Sequence, residues 1–487
     1  MQLQDPSLLQ GVTLLPSSTT NLSTPTFEVF DPATSTPVAC LVDLTAKDCT
    51  TAIENALPAL SSLRSISPRT RSSLLHRWHE LVLAAQTDLA TIITAENVKP
   101  TREALDEVQY AAEFLHWFAG EAQRINGTTI ASSAPNTQAT TIHQPVGIAA
   151  IITPWNFPAA MVTRKVGAAI AAGCPCILKP AAETPLTAIA LAVLAARAGI
   201  PESALQVLPT AAGTVEIGTV LTTHPAVRKF SFTGSTAVGK ILAARCVGTM
   251  KRVSLELGGN APLIVFDDAD VDKAVEGIMV SKFRLSGQTC VCANRVYVQA
   301  GIHDALVEKL VERVCADLKL GRGSLPDTTL GPLISGQAAE KVKRHLVDAM
   351  NRGGRALTGG RVASELGQAF FEPTVVVDVD PGSVCMSEET FGPLLPVVKF
   401  NTESEVVEMA NQAAVGLAGY IFTGDIARAA RVSEALEVGM VGVNTGKISN
   451  PAVPFGGVKE SGIGREGSSL GIHEYLEVKS ITTDISP

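Results

Sequence analysis

From residue 146 to residue 257 the sequence alternates between short apolar runs and amphipathic stretches. Residues 146–153, 176–179, 206–208, 229–233 and 253–257 read as strands, and 158–172, 185–198, 215–222 and 238–246 read as helices between them. Strand, helix, strand repeated in this way leaves one economical solution, a parallel sheet covered by helices on both faces. Sheets of that kind take ligands at the carboxyl ends of their strands. A second alternating stretch runs from residue 262 to about residue 443, with strands at 263–266, 296–299, 375–378 and 395–400 and helices near 272–282, 304–318 and 404–412. The expected class is α/β.

The chain has 487 residues, which implies two or three domains rather than one core. Apolar residues make up 46% and the net charge is −8 with no cluster of Lys or Arg, which argues against a nucleic-acid partner. No apolar run approaches the ~18 residues of a membrane helix. The first basic residue is Lys47, so the N-terminus does not read as a signal or transit peptide. Nine irregularly spaced cysteines suit free thiols in a reducing, cytoplasmic setting. No metal is expected. Residues 67–96, with Leu74, Leu75, Trp78, Leu81, Val82, Leu89 and Ile92 at helical spacing, predict one long amphipathic helix, and 101–122 a second. Residues 127–143 are polar and β-prone, as an extended arm would be, and the tail from 474 reads as a terminal strand.

Four segments carry chemistry. Gly287-Gln288-Thr289-Cys290-Val291-Cys292-Ala293-Asn294 sets a thiol among small and polar residues. A thiol becomes a nucleophile once its pKa falls or a base takes its proton. Leu255-Glu256-Leu257-Gly258-Gly259-Asn260 offers such a base in Glu256. Phe232-Thr233-Gly234-Ser235-Thr236-Ala237-Val238-Gly239 closes a strand and opens a helix, the place for a pyrophosphate, although a tight turn alone explains the same residues. In Thr153-Pro154-Trp155-Asn156-Phe157-Pro158 a side-chain amide sits between two prolines, either as an oxyanion donor or in a merely rigid loop.

These segments, with Lys179-Pro180-Ala181-Ala182-Glu183-Thr184-Pro185, Glu389-Thr390-Phe391-Gly392-Pro393 and Pro454-Phe455-Gly456-Gly457-Val458-Lys459, resemble in order the aldehyde dehydrogenase superfamily over residues 50–480. The resemblance implies a Rossmann-type cofactor domain (1–126 and 144–258), an α/β catalytic domain (259–445) and a small β oligomerisation arm (127–143 and 474–487). It implies Cys290 as nucleophile, Glu256 as general base, and Asn156 with the Cys290 N–H as oxyanion hole. Trp155, Asn156, Lys179, Pro180, Ala181, Ala182, Gly234, Ser235, Leu257, Glu389 and Phe391 match cofactor-contacting positions. A homodimer or homotetramer is implied as well.

Within that superfamily the runs Met161 to Lys165, Ser281 to Arg284 and Asn444 to Asn450 are most similar to enzymes acting on succinate semialdehyde. By that resemblance Arg164, Arg284 and Ser449 bind the substrate's distal carboxylate, as two guanidinium groups and a hydroxyl are suited to do. Glutarate semialdehyde, another ω-oxo acid, and CoA-acylating chemistry are the competing readings. Ala182 stands where NAD-selective relatives commonly carry a ribose-binding glutamate, so NADP is the preferred cofactor, with NAD possible. Cys292 is either a packing residue or the redox partner of Cys290. Val98, Leu285, Ser286 and Lys447 depart from the usual pattern.

Overall fold

The alternation resolves into two sheets in the computed structural model, which describes residues 1–10, 12–14 and 25–487. The first sheet has the order Gly462–Ile463, Arg252–Glu256, Val227–Thr233, Ile148–Ile152, Cys176–Lys179, Leu205–Val207. Five strands are parallel, and Gly462–Ile463 returns from near the end of the chain to run antiparallel at one edge. The chain builds outward from Ile148–Ile152 in one direction, then crosses back to add Val227–Thr233 on its other side. The order reverses between those two strands, so the loops leaving them diverge and open a crevice.

Period-two alternation divides each strand between two cores. Ala149, Ile151 and Leu178 face one, while Ile148, Ala150, Ile177 and Phe230 face the other. The helix Ala160–Ala172 is buried on every side, including its charged residues Arg164 and Lys165.

The second sheet runs Arg355–Ala356, Thr374–Val377, Leu394–Phe400, Ala293–Gln299, Ala261–Val265, Ala418–Phe422, Met440–Val443, parallel except for its first strand. A smaller antiparallel sheet joins Thr129–Ile130, Thr137–Pro145 and Leu476–Asp484. The polar stretch after residue 127 and the tail are therefore one structure, and Val478 and Ile481 on it are exposed. Among the described residues no helix is long and apolar enough to cross a membrane.

The structure corrects one expected element. Residues 67–96 are two helices, Pro68–Ala84 and Gln86–Asn97, because Ala85 leaves the helical region at ψ 13°. Neither Gly nor Pro marks the break. Tertiary ties hold the second helix at its new angle: Asp88 accepts the N–H groups of Gln4 and Asp5, and the Gln86 amide donates to Leu105 O. Helices Gly336–Asn351 and Ile426–Ala435 and strands Ala418–Phe422 and Met440–Val443 add to the second region elements the sequence had not marked.

The helix Val271–Phe283 packs on this sheet through Gly277, where a Cβ would lie 2.1 Å from the Phe422 ring. Gly277→Ala forces that ring out of a packed core, which costs about 1–3 kcal/mol. This outweighs the roughly 1 kcal/mol gained in helix propensity. The expected result is a lower denaturant midpoint, and an unchanged midpoint would show that the ring yields freely.

Candidate active site

Three loops meet in the crevice. Asn156 follows the strand Ile148–Ile152, Glu256 ends the strand Arg252–Glu256, and Cys290 precedes the strand Ala293–Gln299 of the other sheet. All three border one cavity of about 310 Å³, together with Trp155, Phe157, Met161, Gly234, Ser235, Leu257, Gln288, Glu389 and Phe391.

The approach of the loops depends on missing side chains. A Cβ at Gly259 would lie 2.5 Å from Cys290 O. Gly287 takes φ +77° with Gly392 O 2.3 Å from where its Cβ would be. No other residue type fits that pairing of left-handed backbone and close contact.

Glu256 is buried, and neither carboxylate oxygen has a hydrogen-bond partner among the described residues. Burial, then repulsion from Glu466, pushes its pKa up to about 8 against the pull of Arg164 and Lys165. Burial likewise pushes the Cys290 thiol up to about 12, opposed by the Arg164 charge. Cys290 is thus held as a neutral thiol beside a carboxyl group whose raised pKa suits it to exchange a proton. The Asn156 amide donates to Gln288 O at 3.0 Å, and its own oxygen is buried without a partner among the described residues.

The other end of the cavity suits a flat, charged ligand. Trp155 and Phe391 stand edge to face with centroids 5.6 Å apart. Ser235 caps the helix Thr236–Val247, whose N-terminus opens on the crevice and favours an anion. Thr233 Oγ1 is buried there without a partner among the described residues. Glu389 accepts the Gly259 N–H at 3.2 Å, and burial pushes its pKa up to about 7. These features fit a nicotinamide dinucleotide. Gly234 and Gly239 have a further reason to be glycine, since the Phe232 ring and the Leu257 side chain already fill the space of their Cβ atoms.

Lys179, Pro180, Ala181 and Ala182 lie at the end of the neighbouring strand and do not line the Cys290 cavity. Ala182 opens on a separate cavity of about 460 Å³ with Glu183 and Glu96. Lys179 is buried and donates to Pro180 O, and burial lowers its pKa against the pull of Glu183 and Asp43. A 2′-phosphate beside Lys179 would therefore also feel two carboxylates, which the sequence reading had not foreseen.

Arg164 is buried, pairs with Glu466, and stacks over Phe455 at 4.2 Å, while its Nη1 has no hydrogen-bond partner among the described residues. Arg284 is exposed over the Phe157 ring at 5.2 Å. Tyr110 brings them together with Ser449. Burial raises the Tyr110 pKa against the pull of Arg164, then Arg284, and of the nearby Ser449 hydroxyl. Lys447 is exposed, and its backbone N–H is bound to Thr445. Cys292 is fully buried with its thiol 3.6 Å from Lys282 O.

Sequence reasoning missed Tyr110, Glu466, and Lys165 as a charge. Lys165 and Glu466 form a buried ion pair across 301 residues of sequence. Nothing local marks Glu466, and Tyr110 looks like one more aromatic on an amphipathic helix.

Comparison with known proteins agrees with this geometry. The aldehyde dehydrogenase family matches residues 19–481. The chain is 54% identical to "Succinate-semialdehyde dehydrogenase [NADP(+)] 1" of Schizosaccharomyces pombe over 94% of this chain and 91% of that one. It is 51% identical to glutarate-semialdehyde dehydrogenase of Pseudomonas putida, over 94% and 95%. The crystal structure of an aldehyde dehydrogenase from Brucella melitensis biovar abortus 2308 superposes with a TM-score of 0.96 at 49% identity, covering all of both chains. A thiol, a buried carboxyl group and a side-chain amide gathered at the switch point of a parallel sheet thus sit in a chain that belongs to the aldehyde dehydrogenase family.

Proposed function

We propose that the chain oxidises succinate semialdehyde to succinate, using NADP in preference to NAD. The observation that carries the chemistry is Glu256, a buried carboxylate with both oxygens free, beside Cys290 in one cavity. Glu256 takes the Cys290 proton, directly or through water. The sulfur adds to the aldehyde carbon, and Asn156 with the Cys290 N–H stabilises the resulting oxyanion. The cavity end lined by Trp155, Gly234, Ser235, Leu257, Glu389 and Phe391 would hold the nicotinamide dinucleotide, which would supply the hydride acceptor for this carbon. The acyl group then remains on Cys290 as a thioester, and Glu256 removes a proton from the water that hydrolyses it. A base with free oxygens favours water over CoA as acyl acceptor.

Arg164, Arg284, Ser449 and Tyr110 supply the donors for the distal carboxylate. The relative named for glutarate semialdehyde supports a second reading with one more methylene. A methylene in such a pocket is worth about 1–3 kcal/mol, so the two substrates differ by roughly 10–200-fold at most. NADP preference rests on Ala182 and on the name of the S. pombe relative, and Glu183 and Asp43 keep it modest. Cys292 is assigned a packing role, since a bridge to Cys290 requires its contact with Lys282 to break. The arm strand Leu476–Asp484 pairs subunits into a homodimer or homotetramer. Nine unpaired cysteines suit the cytoplasm.

Mass analysis of enzyme stopped in mid-cycle should find the acyl adduct on the peptide 287–294. Cys290→Ala should abolish turnover and keep cofactor affinity, and dehydrogenase activity surviving in that variant would end the assignment. Glu256 acts only when ionised, so kcat/KM should climb with pH toward a plateau above about 8. That limb should vanish in a slow Glu256→Gln variant, and an identical pH profile in the variant would remove Glu256 as the base. A panel of aldehydes with both cofactors tests specificity. Arg284→Ala and Tyr110→Phe should raise KM for succinate semialdehyde about tenfold or more and leave an uncharged aldehyde unchanged. Equal effects on both substrates would empty the carboxylate site, and a large NAD preference would overturn the cofactor choice.

A further inference from the structure

Two opposite charges lie in the core beside the oxyanion loop and take no part in the chemistry above. Lys99 and Glu107 pair at the corner between helices Gln86–Asn97 and Thr101–Glu121, and neither side chain reaches solvent. Burying such a pair costs several kcal/mol per ion before its own attraction returns any of it, and apolar replacements of the same volume are often as stable. Stability alone is therefore a weak reason for its presence.

The remaining hydrogen bonds of the pair supply a better one, because all of them end on the backbone around Asn156. Lys99 Nζ donates to Asn156 O at 2.9 Å and stands over the Phe157 ring, 3.9 Å from its centroid. Glu107 Oε1 accepts the N–H groups of Ala159 at 2.9 Å and Ala160 at 3.3 Å. Those are the first donors of the helix Ala160–Ala172, which has no side-chain cap of its own. Asn97 Nδ2 adds a bond to Trp155 O. The segment 155–160 is thus anchored to one corner at four places, two at each end. The same corner reaches the nucleophile's loop, where Glu103 accepts the Leu285 N–H at 2.9 Å.

We propose that Lys99 and Glu107 are positioning residues that fix the Asn156 peptide so that its side-chain amide points where the oxyanion forms. The inference rests on the oxyanion role assigned to Asn156 under the proposed function. Donors of this kind act only within a few tenths of an ångström of the right place, and misplacement by about 1 Å costs on the order of 10²-fold in rate.

The double variant Lys99→Met/Glu107→Leu removes both charges without leaving either unpaired. It should unfold near the wild-type temperature and bind NADP normally. Its pre-steady-state burst of reduced cofactor at saturating succinate semialdehyde should be roughly 10–100-fold slower, with KM little changed. In an Asn156→Ala background the same double substitution should add almost nothing, since its target is gone. Equal slowing in both backgrounds, or a wild-type burst in the double variant, would overturn the proposal. Should the double variant fail to fold, Lys99→Arg keeps the charge and its pairing with Glu107 but shifts the donor. The same comparison in the two backgrounds then decides. If Asn156→Ala alone leaves the burst intact, the oxyanion role of Asn156 falls and this inference falls with it.

Discussion

Four residues, Leu257 to Asn260, join the last parallel strand of one sheet to the first strand of the other. Glu256 and Cys290 belong to different sheets, so this short link decides whether they meet. It is held on both sides. Leu257 N donates to Ser461 O at 2.9 Å, and the Ser461 hydroxyl donates to Gly258 O at 2.7 Å. On the other side Gly259 N reaches Glu389, Asn260 Nδ2 reaches Met386 O, and Arg295 donates to Asn260 O. Two adjacent glycines let the link lie flat between these partners. A side chain at 258 would meet Glu389, and one at 259 would meet Cys290 O. The Gly-Gly step is therefore needed for packing before any ligand is considered.

The charges around Cys290 follow from who pairs with whom. Arg164 and Lys165 could have paired with Glu256, which would have pulled its pKa down and left a weak base. Glu466 takes both cations instead. Its own pKa is lowered by them, while Glu256 a short distance away rises to about 8. Two carboxylates in one buried region are thus driven apart in acidity by unequal partners, and the unpaired one is available to move protons.

The sequence disclosed the parallel architecture because buried parallel strands are short apolar runs, such as residues 148–151, flanked by turn residues. It pointed to Cys290, Glu256 and Asn156, which border one cavity, because each lies in a compact, glycine- or proline-framed segment. Glu466 and Tyr110 were hidden for one shared reason. Each works through partners far along the chain, Arg164 with Lys165 in one case and Ser449 in the other, so no local spacing encodes the contact. The break at Ala85 was hidden similarly: the apolar period continues across it, and the bonds that stabilise it come from the N-terminus and from Leu105. Helix Gly336–Asn351, by contrast, does carry a local signal, a Ser335 cap and a regular apolar stripe.

Three of the four positions that depart from the expected pattern, all but Lys447, share a property. Val98, Leu285 and Ser286 all take positive φ, at 75°, 49° and 55°. Each costs on the order of 1–2 kcal/mol in a residue with a Cβ, most for the β-branched valine. Yet each is tied to a loop that carries chemistry. Val98 lies between Asn97 and Lys99, which hold the Trp155–Asn156 peptides. Leu285 and Ser286 precede Cys290 and are fastened by Glu103 and by a bond from Ser286 to Gly331 O. Phe391, which faces Trp155 across the cofactor end of the cavity, also sits at φ 56°. Left to themselves these segments would relax into ordinary turns and carry Asn156, Cys290 and Phe391 with them. The buried hydrogen bonds that forbid this are each worth about 1–3 kcal/mol when an ion takes part, enough to offset the local strain. The crevice keeps its shape because its backbone is held out of its preferred conformations from behind, by residues that never touch the substrate.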